Sequence, residues 1–318
     1  MGVKGVSAWR RNWRDYVIYL VFAGIFLFFA VFLHDKGFLS KNNLMNIARQ
    51  TAMIAIMAVG MTFVLSAAEI DLSMGGIVAL SALVGALTLR YTDSVPCAAA
   101  AGLAMGVAVG GLNGFFVAKV GIPSFLVTLG MTGIVTGVAR WISRLQSVPI
   151  NNDVFTWVFG SGNIGPVPIL FVWTVAVAAA GSLGLRRTQF GRETLATGGN
   201  KIAALYSGVK VNRIKFCVML LNGVIAALAG ILYSGRLQGA RYTLGENDVM
   251  LVVAAVIIGG TSLFGGKGTV VGSIVGALIM GMVNNGLILM GLSVDQQMIF
   301  RGVIIILSVT LTMGKRTG

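Results

Sequence analysis

The stretch that decides the fold runs VPILFVWTVAVAAAGSLGL (167–185), RRTQFGRETLATGGNKIAALYSGVKVNRIK (186–215) and FCVMLLNGVIAALAGILYS (216–234). Its outer thirds are apolar, and each approaches the roughly 20 residues a helix needs to cross hydrocarbon. Between them stand seven bases (Arg186, Arg187, Arg192, Lys201, Lys210, Arg213, Lys215) against one acid, Glu193. Membrane insertion retains Lys and Arg on the cytoplasmic side, so a short basic loop between two spans marks that side.

Composition outside this stretch agrees. A soluble domain carries about 25% charged residues. This chain of 318 residues has 11% charged and 56% hydrophobic residues, with a mean hydropathy of +0.88. Its solvent is therefore lipid, where backbone amides must be satisfied within a helix or a closed barrel. Long unbroken apolar runs exclude the alternation of a barrel strand. The expected fold is all-α, a polytopic membrane helical bundle. The 44 glycines suit close helix approach in lipid.

Ten spans are expected, near residues 16–33, 52–68, 72–89, 95–119, 125–141, 167–185, 216–234, 249–263, 269–290 and 298–313. An even count puts both termini on one side. With residues 1–15 as a cytoplasmic tail and 16–318 as one transmembrane domain, fifteen of the Lys and Arg residues fall inside and eight outside. Lys4, Arg10, Arg11 and Arg14 at one end, and Lys315 and Arg316 at the other, carry part of that bias. The basic start followed by an apolar run also suits a secretory signal. His34-Asp35-Lys36 stands where a small-residue cleavage site would, so an uncleaved first span is expected. Topology accounts for most of the net charge of +14, and no aromatic-plus-basic pattern points to nucleic acid. Cys97 and Cys217, far apart in apolar spans, read as buried spectators.

Several spans are interrupted, at Glu69-Ile70-Asp71-Leu72-Ser73, at Gly121-Ile122-Pro123-Ser124, and around Gly259–Gly268. Broken helices and re-entrant turns of this kind line cavities in transporters. Leu72, Gly75 and Val84-Gly85-Ala86-Leu87 align without gaps to Leu263, Gly266 and Val275-Gly276-Ala277-Leu278. An internal repeat would leave this echo, and so would chance in a Gly/Ala/Val/Leu alphabet.

Glu69 and Asp71 lie at the first interruption, where a carboxylate must meet water or a partner. They read either as a polar lining or ion site, or as an interfacial turn with Asp71 capping the next helix. Ser73, Asn113, Ser124, Thr128, Thr132, Thr261, Ser262, Asn284, Asn285, Gln296 and Gln297 are neutral donors and acceptors at span ends or inside spans. Such groups suit a neutral polyol and equally serve as interhelical hydrogen bonds. The expected substrate path comprises Glu69, Asp71, Ser73, Asn113, Ser124, Thr128, Thr261, Asn284, Asn285 and Gln296. No catalytic set is expected: His34 is the single histidine, which excludes Ser/His triads and His-based metal sites. In GGTSLFGGKG (259–268) Lys267 precedes Gly268, so the phosphate-loop spacing is missing and ATP hydrolysis by this chain is not expected.

The order Gly191-Arg192, Ala196-Thr197-Gly198-Gly199-Asn200, Ala203-Ala204, Ser207-Gly208-Val209 resembles the cytoplasmic loop of permease subunits of ABC importers for monosaccharides, the ribose/xylose/galactoside group. Residues 70–75, 123–130, 259–268, 284–287 and 296–302 match further stretches of that family, over the chain from about Leu39 onward. Branched-chain amino-acid permeases share the superfamily but lack the Gly-Gly-Asn wording. Two departures stand out. The family often has Gly where Ala68 and Glu69 stand, and an acid pair where Val249 and Leu251 stand.

The resemblance implies a permease that is not itself an enzyme and binds no cofactor, with ATP and Mg held by a cytoplasmic ABC ATPase. It also implies an extracytoplasmic sugar-binding protein and a second permease copy or paralogue. Gly191, Arg192, Gly198, Gly199, Asn200, Ala203, Ala204, Ser207 and Gly208 become the ATPase-coupling loop. The wording predicts a short helix from Gly199-Asn200 to a glycine stop at Gly208. Bulk at Gly199 or Ala203 is expected to break coupling. The competing expectation is an ion-coupled carrier using Glu69 or Asp71.

Overall fold

The structure, a computed structural model, describes residues 3–313, with side chains described from Ile18 to Ile304 and at Ile306 and Thr310. The basic side chains expected at the two termini lie outside that description. In order the helices are α1 (Val3–Phe32), α2 (Lys41–Ser66), α3 (Met74–Thr92), α4 (Val95–Phe115, continued by a π turn to Val120), α5 (Ser124–Ser143), α6 (Asp153–Thr156), α7 (Ile169–Arg187), α8 (Gln189–Gly199), α9 (Lys201–Tyr206), α10 (Val211–Leu237), α11 (Asp248–Ile258), α12 (Val270–Leu289) and α13 (Val294–Met313).

Each of the ten expected spans is a helix, and the protein is a polytopic helical membrane bundle. Among the described residues, α2, α3, α4, α5, α7, α10 and α12 are long and apolar enough to cross a membrane. α11 differs from its expected span. Its 11 residues rise only about 16 Å against a hydrocarbon core of about 30 Å. It is a half-helix, entered from a coil whose Gly245 (φ +76°) presses on Val78 of α3. α2 also begins earlier than its apolar run, at Lys41. Ser40 Oγ caps it by accepting from Asn43 N at 3.2 Å, and the side-chain amides of Asn43 and Asn285 pair at 2.9 and 3.0 Å.

α2 is the axle of the bundle, 83% buried over its central window where α5 and α7 are 22% buried. It packs against α12, α10, α7 and α11, and α10 in turn packs against α4 and α3. On α4, Gly102, Gly106, Gly110 and Gly114 recur every fourth residue and face α10; a Cβ at Gly110 would lie 2.8 Å from Met219 O. Backbones this close gain dispersion contact that lipid tails cannot supply.

α10 also serves as a depth scale. Lys215 meets Glu69, Asn222 meets Asp71, Gly230 meets Val78, and Tyr233 meets Asp248. Asp71 is therefore about 10 Å along the axis from the Lys215 end and about 22 Å from Leu237. At that far end two short antiparallel strand pairs close the bundle, the second of them a hairpin. β1 (Val148–Pro149) pairs with β4 (Gly239–Ala240), and β2 (Asn163–Ile164) with β3 (Val167–Pro168). The cysteines correct the sequence expectation: Cys97 is exposed and Cys217 half-buried. Both helices have a face outside the core, and periodicity alone does not say which residues occupy it.

Candidate functional site

Between α2 and α3 the chain leaves helical geometry for residues 67–73 and turns inward. Ala68 sits at φ +59°, a left-handed conformation that costs a residue with a Cβ about 1 kcal/mol. That is the physical content of the glycine often found there in the resembling family. Glu69 follows, buried, and forms an ion pair with Lys215 of α10. Asp71 is fully buried. Its Oδ1 accepts from Ser73 N at 2.9 Å and Ser73 Oγ at 2.6 Å, and its Oδ2 accepts from Asn222 Nδ2 at 2.8 Å. It thus closes the turn ahead of α3 and ties α3 to α10.

Four other expected residues join it. Asn113 of α4 donates to Ser73 Oγ at 2.8 Å. Ser124 Oγ accepts from Ile70 N at 3.0 Å, and Thr128 Oγ1 donates to Ile70 O at 3.2 Å, which anchors α5 to the break. Glu69, Asp71, Ser73, Asn113, Ser124 and Thr128 are therefore one buried polar cluster at a single broken crossing. Asn113 Oδ1 and Asn222 Oδ1 are buried there without a hydrogen-bond donor.

The remainder do not join. Thr261 belongs to a hydroxyl chain with Ser273 and Thr62, at 3.4 and 2.7 Å. Asn285 pairs with Asn43, Asn284 accepts from Arg301, and Gln296 makes a turn with Ser293, all away from the break.

The basic loop folds as two helices docked on the same region. Thr188 caps α8 by accepting from Gly191 N at 3.1 Å, and Phe190 stacks on Phe63 of α2 with centroids 5.8 Å apart. Gly191 lies against the carbonyls of Gly184 and Leu185, which leaves no room for a side chain. At the other end of α8, Gly198 touches Ser66 O, Ala67 and Gly266 N, again without space for a Cβ. Gly265 and Gly266, at φ +82° and +76°, complete the contact, and Gly266 N donates to Ser66 O at 3.0 Å. Three backbones meet there, from the end of α2, the end of α8 and the 259–268 loop. The glycines of GGTSLFGGKG serve this approach.

Asn200 then caps α9 by accepting from Ala203 N at 3.0 Å. Gly208 (φ +82°) ends α9, with Val209 N donating to Ala204 O at 3.0 Å, a Schellman stop. Only Ala204 of α9 is buried; Ile202, Leu205 and Tyr206 are 66%, 52% and 90% exposed. An apolar helical face is thereby presented outward, with the exposed Lys201 at its start and the exposed Lys210 just beyond its end. It is one residue removed from the joint that holds the end of α2.

Lys215 and Asn222 are functional candidates that the sequence reading passes over. Lys215 counts there only as a loop charge. Asn222, a lone amide in an apolar span, meets the same criterion as Asn113. Among the described residues no three His, Cys, Asp or Glu side chains gather as a metal site would require.

Comparison with known proteins places this arrangement among transport permeases. The family described as "Branched-chain amino acid transport system / permease component" matches residues 43–309. The chain is 40% identical to the ribose import permease protein RbsC of Escherichia coli (strain K12), over 98% of this chain and 96% of the relative. It is 37% identical to the RbsC protein of Bacillus subtilis (strain 168), over 92% of each chain. With the L-arabinose transport system permease protein AraH of Escherichia coli (strain K12) the identity is 34%, over 96% of this chain and 92% of the relative. No solved structure matches it.

Proposed function

Because the chain belongs to the branched-chain amino acid transport system permease component family, we propose that it is the permease subunit of an ATP-driven importer for a monosaccharide. The observation that carries this reading is α9. Its apolar face is exposed, and its neighbour α8 is wedged by Gly198 against the end of α2 and the 265–266 turn. A cytoplasmic ABC ATPase that binds ATP and Mg seats on α9; this chain binds no nucleotide itself. The push passes through α8 to Ser66 and on to the break at Glu69–Asp71, where α3, α4, α5 and α10 are tied together. The polar cluster at the break borders the substrate path, and its neutral donors suit a polyol.

In this reading the protein lies in the inner membrane with both termini and α9 cytoplasmic. An extracytoplasmic sugar-binding protein delivers substrate at the hairpin end, and a second permease copy or paralogue completes the path. A sugar rather than an amino acid is favoured by the relatives named for ribose and L-arabinose, and by the Gly198-Gly199-Asn200 wording.

The test is reconstitution in vesicles with a cytoplasmic ABC ATPase and a sugar-binding protein of such an importer. Sugar uptake is expected only with ATP and all components present. Accumulation by the permease alone under a proton or sodium gradient would instead establish the ion-coupled carrier.

A further inference from the structure

At the end of the bundle away from α8 and α9, the turn before α2, the first two turns of α2 and the β2–β3 hairpin enclose an open cavity of about 800 Å³. Lys36, Lys41 and Arg49 line it together with the amides of Asn42, Asn46 and Asn163. No carboxylate lines it. Asp35, the neighbour of Lys36, is fully exposed beside His34 Nδ1 at 3.4 Å. Neither lysine has an ion-pair partner among the described residues. Arg49 makes one long bond, to Asn163 Oδ1 at 3.4 Å, and Arg236 of α10 adds a further positive charge within electrostatic reach.

A second space of about 260 Å³ adjoins this cavity, walled by Ala48, Val167, Pro168 and Phe171 and sharing Met45, Arg49 and Pro166 with it. One side is thus cationic and rich in N–H donors; the other is apolar and set against α7. Arg49 stands at the boundary. The first turns of a helix that crosses the bilayer lie at headgroup depth, so this amphipathic pair of spaces is where a lipid's own polar–apolar boundary falls.

We infer that the site binds one anionic phospholipid of the adjoining leaflet. Its phosphodiester sits among Lys36, Lys41 and Arg49, and the start of an acyl chain sits in the slot by Phe171. An acidic surface of a docking protein would satisfy the cations but leave the apolar slot empty, which is why a lipid is the occupant the geometry favours.

The purified full-length protein in detergent is titrated with phosphatidylglycerol and with phosphatidylcholine of the same chains. Bound lipid is counted by native mass spectrometry, and the unfolding temperature is followed in parallel. Phosphatidylglycerol is expected to be retained preferentially. Retention is expected to weaken by about tenfold in K41Q/R49Q, to weaken in A48W, which fills the slot, and to persist in K41R/R49K. Arg90→Gln, an exposed charge at the same end, is expected to change nothing. If K41Q/R49Q fails to fold, the exposed Lys36→Gln carries the same comparison.

Equal retention by K41Q/R49Q and R90Q overturns the site. So does displacement of lipid by inorganic phosphate with A48W neutral, which makes it a site for a soluble anion. Unchanged lipid retention with lost capture of the sugar-binding protein makes the occupant a protein instead.

Discussion

Glu69 and Lys215 lie where the end of α2 meets the first turns of α10, with relative side-chain exposures of 6% and 18%. Removing one member of such a pair strands a charge in a low dielectric, and costs about 3 kcal/mol. Removing both leaves nothing stranded. Glu69→Gln and Lys215→Met are each expected to lower the unfolding temperature of the purified protein markedly, and E69Q/K215M to recover most of that loss in a double-mutant cycle. Additive losses would mean that the two side chains act separately. At this scale the sequence was legible in part. Glu69 and Asp71 announce themselves as acids in an apolar run, and Asn113, Ser124 and Thr128 follow from the same test. Their partners were hidden, because Lys215 and Asn222 are separated from them by about 150 residues and no local pattern records which helix crosses which.

The element that matters most is the joint of α2, α8 and the 259–268 loop. The sequence reading places both Gly198 and Gly199 in the loop and expects bulk at Gly199 or Ala203 to break coupling; the close backbone approach in the structure is at Gly198. A Cβ at Gly199 would sit at an ordinary 3.6 Å from Gly266 Cα, while one at Gly198 meets backbone on three sides. Gly198→Ala is therefore expected to cost about 2 kcal/mol, since backbone cannot move aside as a side-chain tip can. Gly199→Ala is expected to be nearly silent. Thermal unfolding of the two variants, together with sugar-stimulated ATPase activity in the reconstituted complex, measures the difference. Equal effects would remove the joint from the coupling route. α9 was legible to within a residue, because Asn200 and Gly208 are local signals for a cap and a stop. The half-helix α11 was legible only in part: Gly259-Gly260 marks an interruption, yet the expected span runs on to residue 263, and the contacts of Gly259 with Gly272 and of Gly260 with Thr269 show where the helix stops.

For the whole molecule, charge bias sets the orientation in the membrane. A cysteine replacing Lys201 is expected to resist a membrane-impermeant thiol reagent in intact cells and to react once the cells are permeabilised. Labelling in intact cells would turn the protein over and put α9 on the wrong face for an ATPase. Large apolar side chains on α5, among them Phe125, Leu126, Leu129 and Ile134, are exposed in the single chain and face lipid or a second subunit. The bundle as such was written in composition and run length, since those alone decide that lipid is the solvent; helix neighbours are a property of packing and had to be seen. One consequence of that packing concerns α10. It is pegged at four heights along one face, by Glu69, Asp71, Val78 and Asp248. Spinning it by a single residue position, about 100°, would strip all four pegs at once. It behaves as a keyed shaft, so opening and closing must proceed by tilting or sliding it together with α3 and α4, and never by rotation about its own axis.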